Sequence, residues 1–117
     1  MRKTDISFNI ELDNNNYPEK ITWKASDAED LPAITKSISL NVWDHSQNNT
    51  LRIDLWTKEM RVDEMKKFFI DCLGGLGQTI LNSTGDTYMS GEVNSLCEKL
   101  AKHLEGELKD PGNVNKS

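Results

Sequence analysis

The 117-residue sequence predicts an α+β fold: a four-stranded antiparallel meander (ββββ) with two C-terminal helices packed on one face. Three observations carry that prediction. Apolar residues alternate with polar ones through the first half and recur at helical spacing from Val62 onward, so the period changes once along the chain. Clusters of Asn, Asp and Pro cut the first half into four runs of strand length, as turn chemistry does. Both pairs of runs can be aligned antiparallel with every apolar residue on one side, the pattern of a sheet with one covered face.

The first strand covers residues 5–13, with Ile6, Phe8, Ile10 and Leu12 on one side and Asp5, Ser7, Asn9 and Glu11 on the other. Residues 13–20, DNNNYPEK, form a turn, because Asn and Asp tolerate left-handed backbone and Pro18 cannot donate to a ladder. The second strand, residues 20–26, sets Ile21, Trp23 and Ala25 opposite Thr22 and Lys24. Pairing Leu12 with Ile21, Ile10 with Trp23 and Phe8 with Ala25 unites the apolar sides. An acidic link ending in Pro32 leads to a third strand at residues 34–43, where Ile38, Leu40 and Val42 point inward and Ser37, Ser39, Asn41 and Trp43 outward. A second polar turn, residues 44–49, precedes the fourth strand at residues 50–56. Its register pairs Val42 with Leu51, Leu40 with Ile53 and Ile38 with Leu55.

The stretch Thr50 to Phe69 is the joint of the molecule, a strand that turns straight into a helix. That helix starts near Asp63, whose carboxylate can cap free N–H groups and, with Glu64, suits the positive end of the helix dipole. Met65, Phe68, Phe69, Cys72, Leu73, Leu76, Ile80 and Leu81 make its apolar face. Gly74, Gly75 and Gly77 fall inside it, each costing on the order of 1 kcal/mol relative to Ala. Close approach of another backbone is the first explanation, and a kink or break the second. Gly85 is placed to end the helix in left-handed conformation. The second helix spans residues 90–108, with Val93, Leu96, Cys97, Leu100, Leu104 and Leu108 on one stripe. Residues 1–108 are expected to form a single α+β domain and residues 109–117 a flexible tail.

Composition narrows the function classes. A net charge of −5 with scattered basic residues argues against a nucleic-acid binder, which needs a clustered basic face. No apolar run approaches membrane-spanning length, and the first ten residues lack a secretory h-region; the expected compartment is the cytoplasm, without membrane insertion. Cys72 and Cys97 lie on two helical stripes and read as reduced core thiols. His45 and His103 lack partners at ligand spacing, so no metal site is expected. The glycine run lies within a helical pattern with no lysine after it, unlike a phosphate loop. Asp54 and Glu59 stand near the strand end without a desolvated partner, as solvated surface charge does. No catalytic residue and no cofactor emerge, and the chain reads as a non-enzyme.

The feature left over is the polar sheet face. In the register of the second hairpin Asn41 opposes Arg52 and Ser39 opposes Asp54, with Trp43 and Trp56 towards opposite ends. Tryptophan with arginine is favoured in binding hot spots, so Trp43, Arg52, Asp54 and Trp56 form a candidate protein-binding surface. The alternative reading is that each indole only covers a sheet corner or packs on the tail. Open edge strands offer another route to a partner, including a second copy in a homo-oligomer.

Three segments carry a family resemblance: Ile6–Asp13 (ISFNIELD) with Tyr17–Ala25 (YPEKITWKA), Leu40–Asp44 (LNVWD), and Asn49–Phe69 (NTLRIDLWTKEMRVDEMKKFF). Together they resemble GldC, the small gliding-motility-associated protein of gliding bacteria, over about residues 2 to 108. One departure is Arg61, where a proline is common in the family, so a rigid helix entry is lost. The resemblance implies a small soluble protein associated with the gliding apparatus, without attributed enzymatic activity or cofactor; together with the tryptophan-bearing face and the lack of catalytic residues, the chain reads as an accessory protein that docks on a protein component of a motility or envelope machine. It supplies no functional residues to carry over. Two other readings stay open. The order of elements is similar to that of the SecB export chaperone, an analogy of architecture alone; and the glycines could open a small-molecule pocket between helices and sheet.

Overall fold

The computed structural model describes residues 1–26 and 32–109. The chain forms two compact units, residues 1–60 and residues 61–117. The first holds the strands β1 (Ile6–Leu12), β2 (Pro18–Ala25), β3 (Ala33–Thr35), β4 (Ser37–Trp43) and β5 (Thr50–Trp56); the second holds the helices α1 (Val62–Thr84) and α2 (Thr87–Lys109). The α+β class and the order of strands before helices are as the sequence predicts.

The single four-stranded meander is not. The strands form two antiparallel sheets, one of three strands in the order β1-β2-β3 and one of two strands, β4-β5. The difference arises at Lys36, where the expected third strand divides. Before it, Ala33 and Thr35 pair with Trp23 and Ile21 of β2; after it, the chain pairs with β5 alone. The Thr35 hydroxyl donates to the Ser37 carbonyl at 3.0 Å, spanning the bend. A short side chain bonded to nearby backbone in this way competes with a continuous ladder.

The first hairpin also departs from its expected register. Ile10 pairs with Ile21, Phe8 with Trp23 and Ile6 with Ala25, a shift of two residues along β1, with an irregularity between Glu11 and Leu12. The turn decides this. Asp13 Oδ1 accepts the N–H groups of Asn15 (2.8 Å) and Tyr17 (3.0 Å), while the Asp13 N–H donates to the Tyr17 carbonyl at 2.9 Å. With Asn16 at φ 66°, the loop closes early and β2 starts at Pro18. A shift of two preserves the side on which each residue lies, so the apolar sides still coincide. The second hairpin has the expected register throughout, including Ser39 opposite Asp54 and Asn41 opposite Arg52.

Ile21 is fully buried, and it is the one large side chain to be so among the described residues. Leu40 and Ile53, expected under cover, are 37% and 52% exposed, and Leu55 is half-buried. A two-stranded ribbon gives its side chains neighbours across one ladder only and has little stability by itself.

In the helical unit, α1 runs unbroken through Gly74, Gly75 and Gly77. It starts one residue before Asp63, behind an extended Arg61 whose N–H donates to Glu64 Oε1 at 3.1 Å. Glu64 therefore supplies the capping acceptor that the sequence assigns to Asp63. Gly85 ends the helix at φ 73°, its N–H bonded to the Leu81 carbonyl at 2.9 Å. Asp86 Oδ1 accepts the Met89 N–H at 2.9 Å, which starts α2 three residues before the expected position. The helices form an antiparallel hairpin: Lys66 meets Glu107 at 2.9 Å, and Ser90 Oγ donates to the Gly77 carbonyl at 3.0 Å. A Cβ on Gly77 would lie 3.0 Å from Val93 Cγ1, whereas Gly74 and Gly75 have nothing within 4 Å of such an atom. Close approach of a second helix thus accounts for one glycine of the three. Cys72 and Cys97 are free thiols, both half-buried. Of the expected tail, Lys109 closes α2 and the rest lies outside the described residues, as does most of the acidic link.

Candidate functional site

Strand alternation places Thr50, Arg52, Asp54 and Trp56 on one side of β5, opposite Trp43, Asn41, Ser39 and Ser37 of β4. At the middle of this face Asp54 is bonded to both Ser39 and Arg52. Ser39 Oγ donates to Asp54 Oδ1 at 2.7 Å, and Arg52 Nη2 lies 3.2 Å from Asp54 Oδ2. The Ser39 hydrogen bond, with the Arg52 guanidinium beside it, holds the Asp54 carboxyl below its ordinary range against partial desolvation. The Asp54 carboxylate thus stands beside the Arg52 guanidinium, whose side chain is largely exposed.

The two tryptophans are placed differently. Trp43, at one end of the ribbon, is 69% exposed. Trp56 closes the other end at 49% exposure, six residues along β5 from Trp43's partner Thr50, or roughly 20 Å away at strand rise. The face is thus a row and not a cluster: an indole, an ion pair, a second indole.

The structure adds a feature at the Trp56 end that hydropathy patterning does not reveal. A trough of about 250 Å³ opens there, lined by Tyr17, Pro18, Asp54, Leu55, Trp56 and Lys58. Its far wall is built by the first turn. Lys58 ion-pairs with Asp13 and sits 5.8 Å from the Tyr17 ring centroid, within cation–π range. The Lys58 hydrogen bond, together with the N–H groups of Tyr17 and Asn15, lowers the Asp13 carboxyl to about 2; reciprocally, Asp13 raises the Lys58 ammonium above its usual value. Tyr17, Pro18 and Lys58 are absent from the sequence-derived surface because no periodicity links residue 17 to residue 58.

A larger cavity, about 380 Å³, lies among charged side chains of both signs, including Glu11, Glu19, Lys20 and Glu59. Glu59 lines this cavity, away from the trough at Asp54. Thr57, on its wall, is buried, its N–H donating to the Lys36 carbonyl at 2.9 Å. Among the described residues no group of three His, Cys, Asp or Glu side chains comes together to hold a metal. His45 lies in the second turn, outside every helix and strand, and His103 Nε2 lies 3.1 Å from Glu107. Among the same residues no helix is long and apolar enough to cross a membrane.

These features define a class: a small α+β protein of antiparallel strands followed by a helical hairpin, with an ordered polar strand face between two exposed indoles. Residues 18–106 match the model of the family described as gliding motility-associated protein GldC-like. The match covers most of the chain, and the chain belongs to that family. No curated protein and no solved structure matches it.

Proposed function

We propose that this chain is a non-enzymatic accessory protein of the gliding-motility machinery. In this reading it acts in the cytoplasm as a protein–protein interaction module, through Trp43, Arg52, Asp54 and Trp56. The observation that carries the reading is the bonded Ser39–Asp54–Arg52 row between two exposed tryptophans. Exposed aromatic rings beside an ion pair offer contact area and directional bonds to a partner. Family membership supports the association with gliding. Capture of partners by the tagged protein in its own cells tests it: the Trp43→Ala, Arg52→Ala, Trp56→Ala triple variant, shown folded by circular dichroism, loses the captured component. Equal capture by that variant removes this face from consideration.

A second reading, an assembly that shields unfolded chains like an export chaperone, draws on the opposite side of the same ribbon. Leu40, Val42, Leu51 and Ile53 are all exposed there, a contiguous apolar strip of the kind that binds other chains. Light scattering separates the two. A chaperone of this type is a dimer or larger and suppresses aggregation of an unfolded client; a monomer indifferent to such clients is not one.

A further inference from the structure

We infer that the trough between Tyr17 and Trp56 receives an extended, proline-bearing segment of the partner, with a basic residue of that segment against the carboxylates at the trough's margin. The inference rests on the docking reading above and specifies its ligand.

The shape of the site argues for a stiff ligand. A volume of about 250 Å³ is too small and too open to enclose a compact molecule or the face of a helix. It is lined by Tyr17, Pro18, Leu55 and Trp56 with Asp54 and Lys58 beside them, so it offers mainly apolar surface and few hydrogen bonds. Contact of that kind cannot offset the ordering of a flexible chain. A polyproline II segment meets the limitation, since its backbone is ordered before binding and its pyrrolidine faces stack on aromatic walls. Asp13 fixes the backbone at Tyr17 through its N–H and pairs with the Lys58 ammonium, which lies 5.8 Å from the Tyr17 ring centroid.

Charge gives the second half of the specificity. Asp54 and Lys58 line the trough; Arg52 pairs with Asp54, and the carboxylates of Asp13 and of Glu19, which lines the neighbouring cavity, both act on the Lys58 ammonium. Two carboxylates facing one ammonium leave the Lys58 side of the trough negative. A lysine or arginine in the bound segment is attracted to that margin, and an acidic residue is repelled.

The test is a titration of the full-length ¹⁵N-labelled chain with a synthetic octaproline carrying one terminal arginine, followed by amide and indole shifts. Saturable shifts are expected at Tyr17, at the Trp56 indole and at Lys58. An all-alanine peptide with the same arginine binds about tenfold more weakly or worse, and exchange of the arginine for glutamate weakens binding severalfold. Trp56→Ala and, independently, Tyr17→Ala each abolish saturation while the remaining spectrum stays dispersed. Absence of shifts at millimolar octaproline, or equal binding of the alanine peptide, overturns the inference. Either result leaves the capture experiment unaffected, so failure of the ligand assignment and failure of the docking reading are distinguishable.

Discussion

In the strand unit, geometry is set at the ends of elements by carboxylates. Asp13 gathers two backbone N–H groups and the Lys58 ammonium, and Asp44 closes the second turn by accepting the Gln47 N–H at 2.7 Å. In the helical hairpin carboxylates also set the starts of the helices, Glu64 and Asp86, but the approach of one helix to the other is set in mid-element by small residues, with Gly77 and Ser90 in contact and Val93 against the space a Cβ would need. The contrast has a physical origin. Strands are joined through turns, whose backbone groups need local acceptors; helices satisfy their own backbone and meet through side-chain size. The strand unit, whose one fully buried large side chain among the described residues is Ile21, leans on few contacts, each of which ought to matter individually.

Substitutions can break that contrast, and the largest effect is expected at Ile21. Ile21→Ala removes the side chain at the centre of the β1-β2-β3 sheet and costs about 2–5 kcal/mol. Urea unfolding followed by Trp23 fluorescence reads it; a loss as small as that for an exposed strand residue contradicts the placement. Next is Gly77→Leu, which forces a branched side chain against Val93 and costs about 1–3 kcal/mol, measured by helical ellipticity on heating. Gly74→Ala, with nothing within reach of the new methyl group, gains about 1 kcal/mol in the same assay. Opposite signs at two glycines three residues apart would separate close approach from simple tolerance.

The smallest effect is the pH dependence of the strand unit. Because Asp13 is held at about 2 against an ordinary 3.8, its contribution is complete above about pH 4 and is lost as pH falls through about 2. Lys58 acts in the other direction: with its pKa raised, its share is present below 10.5 and is lost as pH climbs through the raised value. Asp13→Asn should therefore flatten the acid limb of the strand unit's stability, read by the tyrosine and tryptophan signals. An unaltered acid limb would show that the ion pair does not form in solution.

The hairpins show what patterning can and cannot supply. In β4-β5, apolar residues at 38, 40 and 42 meet those at 51, 53 and 55, and the expected register is the one adopted. In β1-β2 two registers satisfy the same pattern, because Leu12 and Ile10 are equally acceptable opposite Ile21. The choice falls to the Asp13 turn, whose hydrogen bonds carry no hydrophobic signature. The bend at Lys36 is invisible for a like reason: Ile34 and Ile38 keep the alternation in step across it. The helices were legible in type and approximate extent, and their starts moved with the acceptors actually used, Glu64 and Asp86. At the candidate surface, Ser39 opposite Asp54 follows from strand register alone. Tyr17 and Lys58 join Trp56 only through the tertiary fold.

Photo-crosslinking tests the central claim most directly. A benzophenone amino acid introduced in living cells at position 43 or 56 should yield one and the same crosslinked protein, while the same group at Asn9, in the other sheet, should not capture it. Crosslinks formed at Asn9 but at neither tryptophan position would contradict the account, and the partner's docking surface would have to be sought elsewhere on the chain.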